Sequence, residues 1–197
     1  MSERGFTLVE VLVAAGMIAV VLLGVGTFYL STTRFEAENT AQIYLQRQAT
    51  IIVDEMRTQI EPATASTMVS PCPGAGMPAD SLQVTNSNEP DPANPVGCAP
   101  NCNYCFRRDA AGTGLLEDRA GGGTWNLLSG APATLTATTG SCTGASPTGG
   151  FCPSLVTDNA APPNTVGAAI TLRLRFRIPE TDSFQAMTFT TTIAARN

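Results

Sequence analysis

Residues 4–24, RGFTLVEVLVAAGMIAVVLLG, decide the fold of this chain because they begin a long uncharged stretch. Residues 11–33 comprise 23 amino acids without a single Asp, Glu, Lys or Arg. At about 1.5 Å per residue, a helix of this length crosses a hydrocarbon layer of about 30 Å with some tilt. The sequence therefore predicts a membrane-spanning helix.

Glu10 stands at the start of this helix among apolar neighbours. An ionised carboxylate at membrane depth costs about 2.5–3.5 kcal/mol on insertion scales. The structural interpretation is that Glu10 lies in the first helical turn. There the helix dipole favours a negative charge by about 0.3–1 kcal/mol, and the side chain can reach the interface. The functional interpretation is that its charge is used in assembly.

A short polar leader precedes the apolar run and ends in Gly5, directly before Phe6. A secretory signal is cleaved after its apolar region, whereas a small residue in front of it suggests cleavage on the cytoplasmic side with the helix retained. The segment RGFTLVEVLVA resembles the class III signal of type IV pilins and type II secretion pseudopilins. A single-span anchor without processing is the alternative.

This resemblance implies specific processing and assembly. A prepilin peptidase, which is also the methylase, would cut between Gly5 and Phe6 and N-methylate Phe6. Glu10 would become the fifth residue of the mature chain. In the family, the new amine pairs with the glutamate of a neighbouring subunit, here Phe6 with Glu10. A buried ion pair of this kind can set the register between subunits.

The helical pattern continues beyond the uncharged stretch and becomes amphipathic. Six apolar residues recur at spacings of 4, 4, 3, 4 and 4, which places them on one helical stripe able to pack on a sheet. They are Ala41, Leu45, Ala49, Ile52, Met56 and Ile60. Pro62 indicates that the helix ends near Glu61. Four segments are therefore expected: a leader at 1–5, the membrane half of the helix at 6–33, its amphipathic half at 34–61 and a globular β-rich domain at 62–197.

Beyond residue 62, alternating patterns predict antiparallel strands. Residues 170–178, ITLRLRFRI, and the alternation at 187–193 predict a hairpin across 179–183. Leu82 and Val84 indicate another strand, and 103–108 with 114–119 indicate a hairpin across 109–113. Residues 86–101 and 129–167 are expected to be loops. The predicted fold class is α+β: a long N-terminal helix packed on a C-terminal antiparallel sheet domain with long disulfide-stapled loops.

Six cysteines follow the apolar helix, and an even number in a non-cytosolic segment predicts disulfides. They are Cys72, Cys98, Cys102, Cys105, Cys142 and Cys152. Six cysteines allow 15 full pairings, among which the sequence does not choose. Cys142 and Cys152 bracket a glycine-rich loop, and a pairing of Cys98 or Cys102 with Cys72 or Cys105 is a second local candidate. The C-x3-C-x2-C spacing also resembles the cluster triad of radical enzymes that use S-adenosylmethionine. That interpretation is rejected, since the triad follows a membrane helix and no alternating βα pattern is present.

The composition excludes several classes of chemistry. The chain of 197 residues has no His, which excludes Ser-His-Asp, Cys-His and His-bearing zinc sites. Its formal net charge is −5, which remains −5 after removal of Glu3 and Arg4 with the leader. Glu117 and Asp118 are adjacent on a predicted strand and so point to opposite faces, which argues against a catalytic dyad. No enzyme activity, cofactor or metal is expected.

Three groups of side chains suggest weaker binding hypotheses. Arg173, Arg175 and Arg177 form a basic row that could contact DNA, although a solvated or salt-bridged face is favoured. Two acidic groups could contribute to a calcium loop, but neither has regular ligand spacing, so polar turns are favoured. These groups are Asn88, Glu89 and Asp91, and separately Glu180 and Asp182.

The stretch Y-C-F-R-R-D-x5-L-L-E-D-R at 104–119, the late alternating strand and the ending A-R-N resemble PilW-type minor pilins and J-type minor pseudopilins. This implies a subunit that primes assembly and lies at or near the tip of a type IV pilus. The alternatives are a J-type pseudopilin of a type II secretion system and a pilus-tip adhesin or DNA-binding subunit. Expected partners are other pilins or pseudopilins, the prepilin peptidase, the inner-membrane assembly platform and membrane lipid, with nucleic acid less favoured. The expected location is the bacterial inner membrane with a periplasmic domain, then an extracellular pilus or periplasmic pseudopilus.

Overall fold

A computed structural model describes residues 7–63, 68–73, 77–86, 102–119, 123–129, 132–136, 142, 149–161, 163–178 and 183–195. The chain divides into two compact units, Met1–Thr40 and Ala41–Asn197. Among the described residues one helix, α1, covers Leu8–Ile60. Its observed end lies one residue before the predicted Glu61.

Eight strands follow the helix within the described residues. They are β1 Leu82–Asn86, β2 Cys102–Arg108, β3 Leu115–Arg119, β4 Gly123–Leu128, β5 Ala133–Leu135, β6 Phe151–Thr157, β7 Thr165–Arg177 and β8 Phe184–Ala194. The first four form an antiparallel sheet in the order β1-β2-β3-β4. In the second sheet β5, β6 and β8 all pair antiparallel with the long β7.

The unit Ala41–Asn197 has one hydrophobic core, which the helix and both sheets share. The six predicted stripe residues, Ala41 to Ile60, are each at most 1% exposed. Leu82, Phe106 and Leu115 of the first sheet and Ile170, Leu172 and Leu174 of the second are fully buried in the same core. The predicted fold class is therefore confirmed, and the apolar stripe of the helix is the surface on which the sheets pack.

Both predicted hairpins are present. Strands β2 and β3 are joined across residues 109–114, where the Asp109 N–H donates to the Gly114 carbonyl and the Thr113 N–H donates to Asp109 Oδ1 at 2.8 Å. Gly112 has a φ of 71°, a left-handed conformation that costs glycine little. In the other hairpin β7 pairs with β8 along its length, although most of the predicted turn at 179–183 lies outside the described residues.

Gly167 permits the close approach of β8 to β7. A Cβ atom at this position would collide with the carbonyl oxygen of Ile193 and would lie 3.1 Å from the Ala194 Cα. Only glycine avoids this collision, so a residue that weakens most strands is required here.

The prediction of loops over 129–167 is wrong, because β5, β6 and the start of β7 lie there. Pro153 and Cys152 interrupt any alternating pattern in β6, yet both are buried. Pro153 is tolerated because β6 pairs with β7 alone among the described strands and so needs hydrogen bonds on one edge only. Strand β4 was also not predicted, since four of its six residues are exposed and no apolar alternation marks it. Residues 87–101 of the other predicted loop lie outside the described residues.

Two disulfides tie the described loops to the sheets. One joins Cys72 to Cys105 in β2, with a Cα–Cα distance of 6.1 Å, and the other joins Cys142 to Cys152 in β6, with a Cα–Cα distance of 5.2 Å. The expectation that Cys98 or Cys102 would pair with Cys72 or Cys105 is therefore wrong.

Strand pairing explains why Cys72 meets Cys105. Val69 forms a bridge with Gln83, and Gln83 lies directly opposite Cys105. The segment that carries Cys72 therefore runs beside β1, close to the middle of β2. Cys98 and the side chain of Cys102 lie outside the described residues.

We predict that Ile52→Ala lowers the free energy of unfolding by about 2–5 kcal/mol, because it leaves a cavity in the shared core. The neighbouring Ile51 is 51% exposed and provides a matched control, so Ile51→Ala should change it by less than about 0.5 kcal/mol. Urea unfolding of the full chain in detergent can be followed through its single tryptophan, Trp125. Equal effects of the two substitutions would contradict the core assignment.

We predict that removing the Cys72–Cys105 disulfide destabilises the chain more than removing Cys142–Cys152. The two bridges close loops of 33 and 10 residues. Loop-closure entropy then gives contributions of about 4 and about 3 kcal/mol, respectively. The measurement compares unfolding of the Cys72→Ala/Cys105→Ala and Cys142→Ala/Cys152→Ala double variants; the opposite order would show that loop closure does not dominate.

Candidate assembly site in the N-terminal helix

The N-terminal part of α1 exposes almost all of its apolar side chains. The large hydrophobic residues between Leu8 and Phe35 are each 53–78% exposed. An apolar surface of this size is unfavourable in water and marks an interaction with lipid or other proteins. The helix is long and apolar enough to cross a membrane.

Glu10 caps the beginning of this helix through Thr7. The backbone N–H and the hydroxyl of Thr7 each donate to Glu10 Oε2 at 3.2 Å, while the Glu10 N–H donates to Thr7 Oγ1 at 3.4 Å. These reciprocal bonds form a capping box at the first turn, where the Glu10 N–H also donates to the Thr7 carbonyl at 3.1 Å. Glu10 therefore lies in the first turn, as the structural interpretation expects.

The role of Thr7 was not predicted from the sequence. Its signal is the spacing T-x-x-E directly before an apolar run, which is typical of a capping box. Because the cap uses hydrogen bonds rather than charge, a glutamine at position 10 could form it as well. The proposed pairing of Glu10 with the amine of Phe6 stays a prediction, since Gly5 and Phe6 lie outside the described residues.

Hydroxyl groups farther along the helix are satisfied internally. Thr27 donates to the Gly24 carbonyl at 2.9 Å, and Thr32 and Thr33 donate to carbonyls of the preceding turn at 3.0 and 3.1 Å. Such bonds lower the cost of placing a hydroxyl in lipid. The apolar surface is therefore not interrupted by unsatisfied threonine hydroxyls.

Charged side chains of the sheet domain form local networks. Glu117 is fully buried, and its Oε1 accepts from Arg119 Nε at 2.8 Å; Arg119 also contacts Glu55 Oε1 at 3.2 Å. Asp118 is held instead by Arg107 and accepts a bond from Thr124 at 2.7 Å. The adjacent carboxylates thus bind different arginines.

The environment of Asp118 favours its ionised form. Partial burial raises the pKa of its carboxyl group, but hydrogen bonds from Arg107 and Thr124 outweigh this and lower the pKa below its ordinary value. Asp118 is consequently an ionised structural partner of Arg107, which is the opposite of what a general acid requires.

The predicted basic row lies on one face of β7. Arg173 donates to the Gly149 carbonyl at 3.5 Å, and Arg175 donates to Thr134 Oγ1 at 3.1 Å. The Arg175 guanidinium also lies 4.9 Å from the ring centroid of Phe184. These neutral contacts hold two of the arginines without cancelling their charge, while Arg177 is exposed at the end of β7.

The described residues contain no group of three or more His, Cys, Asp or Glu side chains able to hold a metal ion. The calcium hypotheses at Asn88, Glu89 and Asp91 and at Glu180 and Asp182 fall outside the described residues.

Comparison with known proteins identifies the N-terminal segment. Residues 1–26 match the model of the prokaryotic N-terminal methylation motif. No curated protein and no solved structure matches the chain significantly. The match covers the predicted processing site, Glu10 and about two thirds of the exposed apolar part of the helix. Together with the long helix packed on antiparallel sheets, it supports a relation of the chain to the type IV pilin and pseudopilin superfamily.

Proposed function

We propose that this chain is a minor type IV pilin-like subunit that primes assembly of a pilus and lies at or near its tip. The observation that supports a filament subunit most directly is the apolar surface of α1, which begins just after the cap of Thr7 and Glu10 and is exposed among the residues that the structure describes. Lipid can cover this surface before assembly, and the helices of neighbouring subunits can cover it afterwards.

The methylation motif supports processing by a prepilin peptidase. Cleavage between Gly5 and Phe6 would create a positive amine one residue before Thr7. We propose that this amine binds Glu10 of a neighbouring subunit, so that Glu10 exchanges its local cap for a charge pair during assembly. A charge pair in an apolar surrounding is weakened little by solvent and has strict geometry, which suits it to setting register.

Small residues in the apolar stretch provide room for neighbouring helices. A Cβ atom at Gly16, Gly24 or Gly26 would meet nothing within 4 Å apart from nearby helix backbone. Within the described part of the chain these glycines therefore serve no close contact, whereas small residues allow helices in lipid to approach closely.

These features support a proposed order of locations for the subunit. It is stored in the inner membrane with its sheet domain in the periplasm and is then extracted by the assembly platform into the filament. Its partners are other major and minor pilins. The relation to the superfamily supports a structural role, and the local ion pairs of Glu117 and Asp118 supply no reason to add an enzymatic one.

Deletion of the gene distinguishes the pilus from the alternative secretion system. We expect loss of this chain to reduce piliation, twitching or DNA uptake, because tip subunits prime assembly, and to leave exoprotein release intact. Blocked exoprotein release with normal piliation would instead identify a J-type pseudopilin. Reintroducing the unchanged gene is the control.

We predict that the charge of Glu10, and not its cap, is required for assembly. Glu10→Gln keeps an oxygen for the Thr7 cap but removes the charge, whereas Thr7→Val removes the hydroxyl and keeps the charge. Glu10→Gln should reduce the filament-incorporated fraction more than about tenfold, as expected for a broken buried ion pair. Glu10→Ala should do the same, while Thr7→Val should have a much smaller effect.

Intact-mass analysis of each variant separates processing from assembly. All variants should begin at N-methylated Phe6. Glu38→Gln removes an exposed charge from the same helix outside the uncharged stretch and should assemble normally. Normal incorporation of processed Glu10→Gln would show that Glu10 serves the helix cap alone.

A further inference from the structure

Strand β8 leaves one edge without a strand partner among the described residues. It pairs with β7 through eleven consecutive residue pairs, from Arg177 opposite Phe184 to Gly167 opposite Ala194, without a register shift. Within the described part of the second sheet, β5 and β6 pair with β7 and no strand pairs with β8 from the other side. The edge is about twice as long as an average strand.

The hydrogen bonds around β7 show which groups of β8 face outward. The Ala195 N–H donates to the Val166 carbonyl at 3.0 Å, and the Ile178 N–H donates to the Ser183 carbonyl at 2.9 Å. Because bonded and non-bonded pairs alternate in an antiparallel ladder, the odd-numbered residues of β8 bond to β7. The bond from the Arg173 N–H to the Gly150 carbonyl agrees with this assignment. It shows that odd-numbered residues of β7 bond on the side away from β8, which leaves the even-numbered residues of β7 to bond with β8.

The even-numbered residues of β8 therefore direct their backbone N–H and C=O groups away from β7. These residues are Phe184, Ala186, Thr188, Thr190, Thr192 and Ala194, and their side chains are all exposed. The edge thus offers a regular row of donors and acceptors over the length of the strand.

This edge lacks the features that usually prevent strand pairing. The sequence FQAMTFTTTIA has no charged residue, no proline and no glycine, and β8 has no bulge. Natural proteins protect free edges with such residues or bulges, and a long uncharged edge is a template for another strand. We propose that the outer edge of β8 binds an extended segment of a partner protein by strand addition.

The arginines of β7 indicate the chemistry of the partner segment. Arg173 and Arg175 lie directly opposite Thr188 and Ala186, on the exposed face of the sheet. A strand added to β8 would lie about 10 Å from β7, which a long arginine side chain and an acidic side chain can bridge together. Arg175 already extends over Phe184 of β8.

Charge complementarity therefore selects a segment with Glu or Asp on this face. On the other face, β-branched residues would continue the partly buried row that contains Met187 and Phe189. A second copy of β8 fits less well, because it brings no acidic side chain to the arginines. The partner is thus an acidic β-prone segment of a different chain. This inference does not depend on the proposed assembly function.

The test uses the full chain in detergent and a fluorescent synthetic peptide, Glu-Val-Glu-Val-Thr-Val-Thr-Val-Thr, with blocked ends. Fluorescence anisotropy measures its binding. A peptide with Lys in place of both Glu residues should bind about tenfold more weakly, because it meets Arg173 and Arg175 with like charge. Two further peptides carry N-methyl groups at alternate residues, one peptide along each edge. The peptide that is methylated on the edge facing β8 should not bind, because it has lost the N–H groups that bond to β8.

Variants of one outward-facing residue test the edge itself. Thr190→Pro removes an outward N–H without removing a backbone hydrogen bond to β7, so it should weaken binding at least about tenfold. It also removes the side-chain hydrogen bond between Thr190 Oγ1 and Thr171 Oγ1, which Thr190→Val removes as well, so the two variants should have nearly equal unfolding midpoints. Thr190→Val keeps the N–H and should bind like the unchanged chain. If Thr190→Pro fails to fold, the N-methylated peptides still report on edge bonding.

Three outcomes would overturn the proposal. The first is no binding of the glutamate peptide at about 1 mM, and the second is equal binding of the glutamate and lysine peptides. The third is undiminished binding of peptides N-methylated along either edge. Self-association that Thr190→Pro abolishes, without peptide binding, would assign the edge to a second copy and likewise reject the acidic partner.

Discussion

Removal of the apolar stripe of α1 from water holds the folded unit together, because side chains from both sheets pack against the same helical positions. Leu45, Ile52 and Met56 are fully buried, and neither described sheet could bury its apolar face equally well without them. Burial of each such side chain contributes about 1.5–3 kcal/mol. The helix is therefore part of the domain core and also the element that carries the apolar N-terminal segment.

The same helix has two environments because its sequence changes composition along its length. Between Leu8 and Phe35 the apolar residues surround the helix, so no single face can satisfy them. From Ala41 onward the buried apolar residues form a stripe, and mainly polar residues, together with the exposed Ile43 and Ile51, occupy the rest of the surface. This change makes one part suited to lipid or a helical bundle and the other to a sheet, without any break in the hydrogen-bonded backbone.

Sequence patterns predicted the elements whose burial follows a regular period. The helical stripe and the alternation in β7 and β8 are of this kind, because position along the element alone determines which side chains are buried. Strands β4, β5 and β6 could not be predicted in this way. Ala133–Leu135 is only three residues long, and Pro153 disrupts the pattern of β6, so both depend on pairing with β7, a contact distant in sequence.

Some features of the candidate site and of the disulfides could be predicted from the sequence and others could not. Glu10 was conspicuous at the start of an uncharged stretch, because charge in an apolar segment is costly. The position of Gly5 and Phe6 before that stretch led to the prediction of a processed filament subunit. The cap by Thr7 was readable from its spacing but was not recognised. The disulfide between Cys72 and Cys105 was not readable, since it depends on the bridge of a loop to β1 and on the register of two strands.

Gly167 gives the second sheet a steric constraint on strand register. A slip of β8 by two residues would keep the alternation of faces but would bring Thr165 or Ala169 to the place where Gly167 now meets Ile193. Either side chain would collide with the backbone of β8 and force the strands apart. The absence of one methyl group in β7 therefore helps to determine which residues of β8 lie opposite Arg173 and Arg175, although Gly167 itself lies several residues away from both arginines.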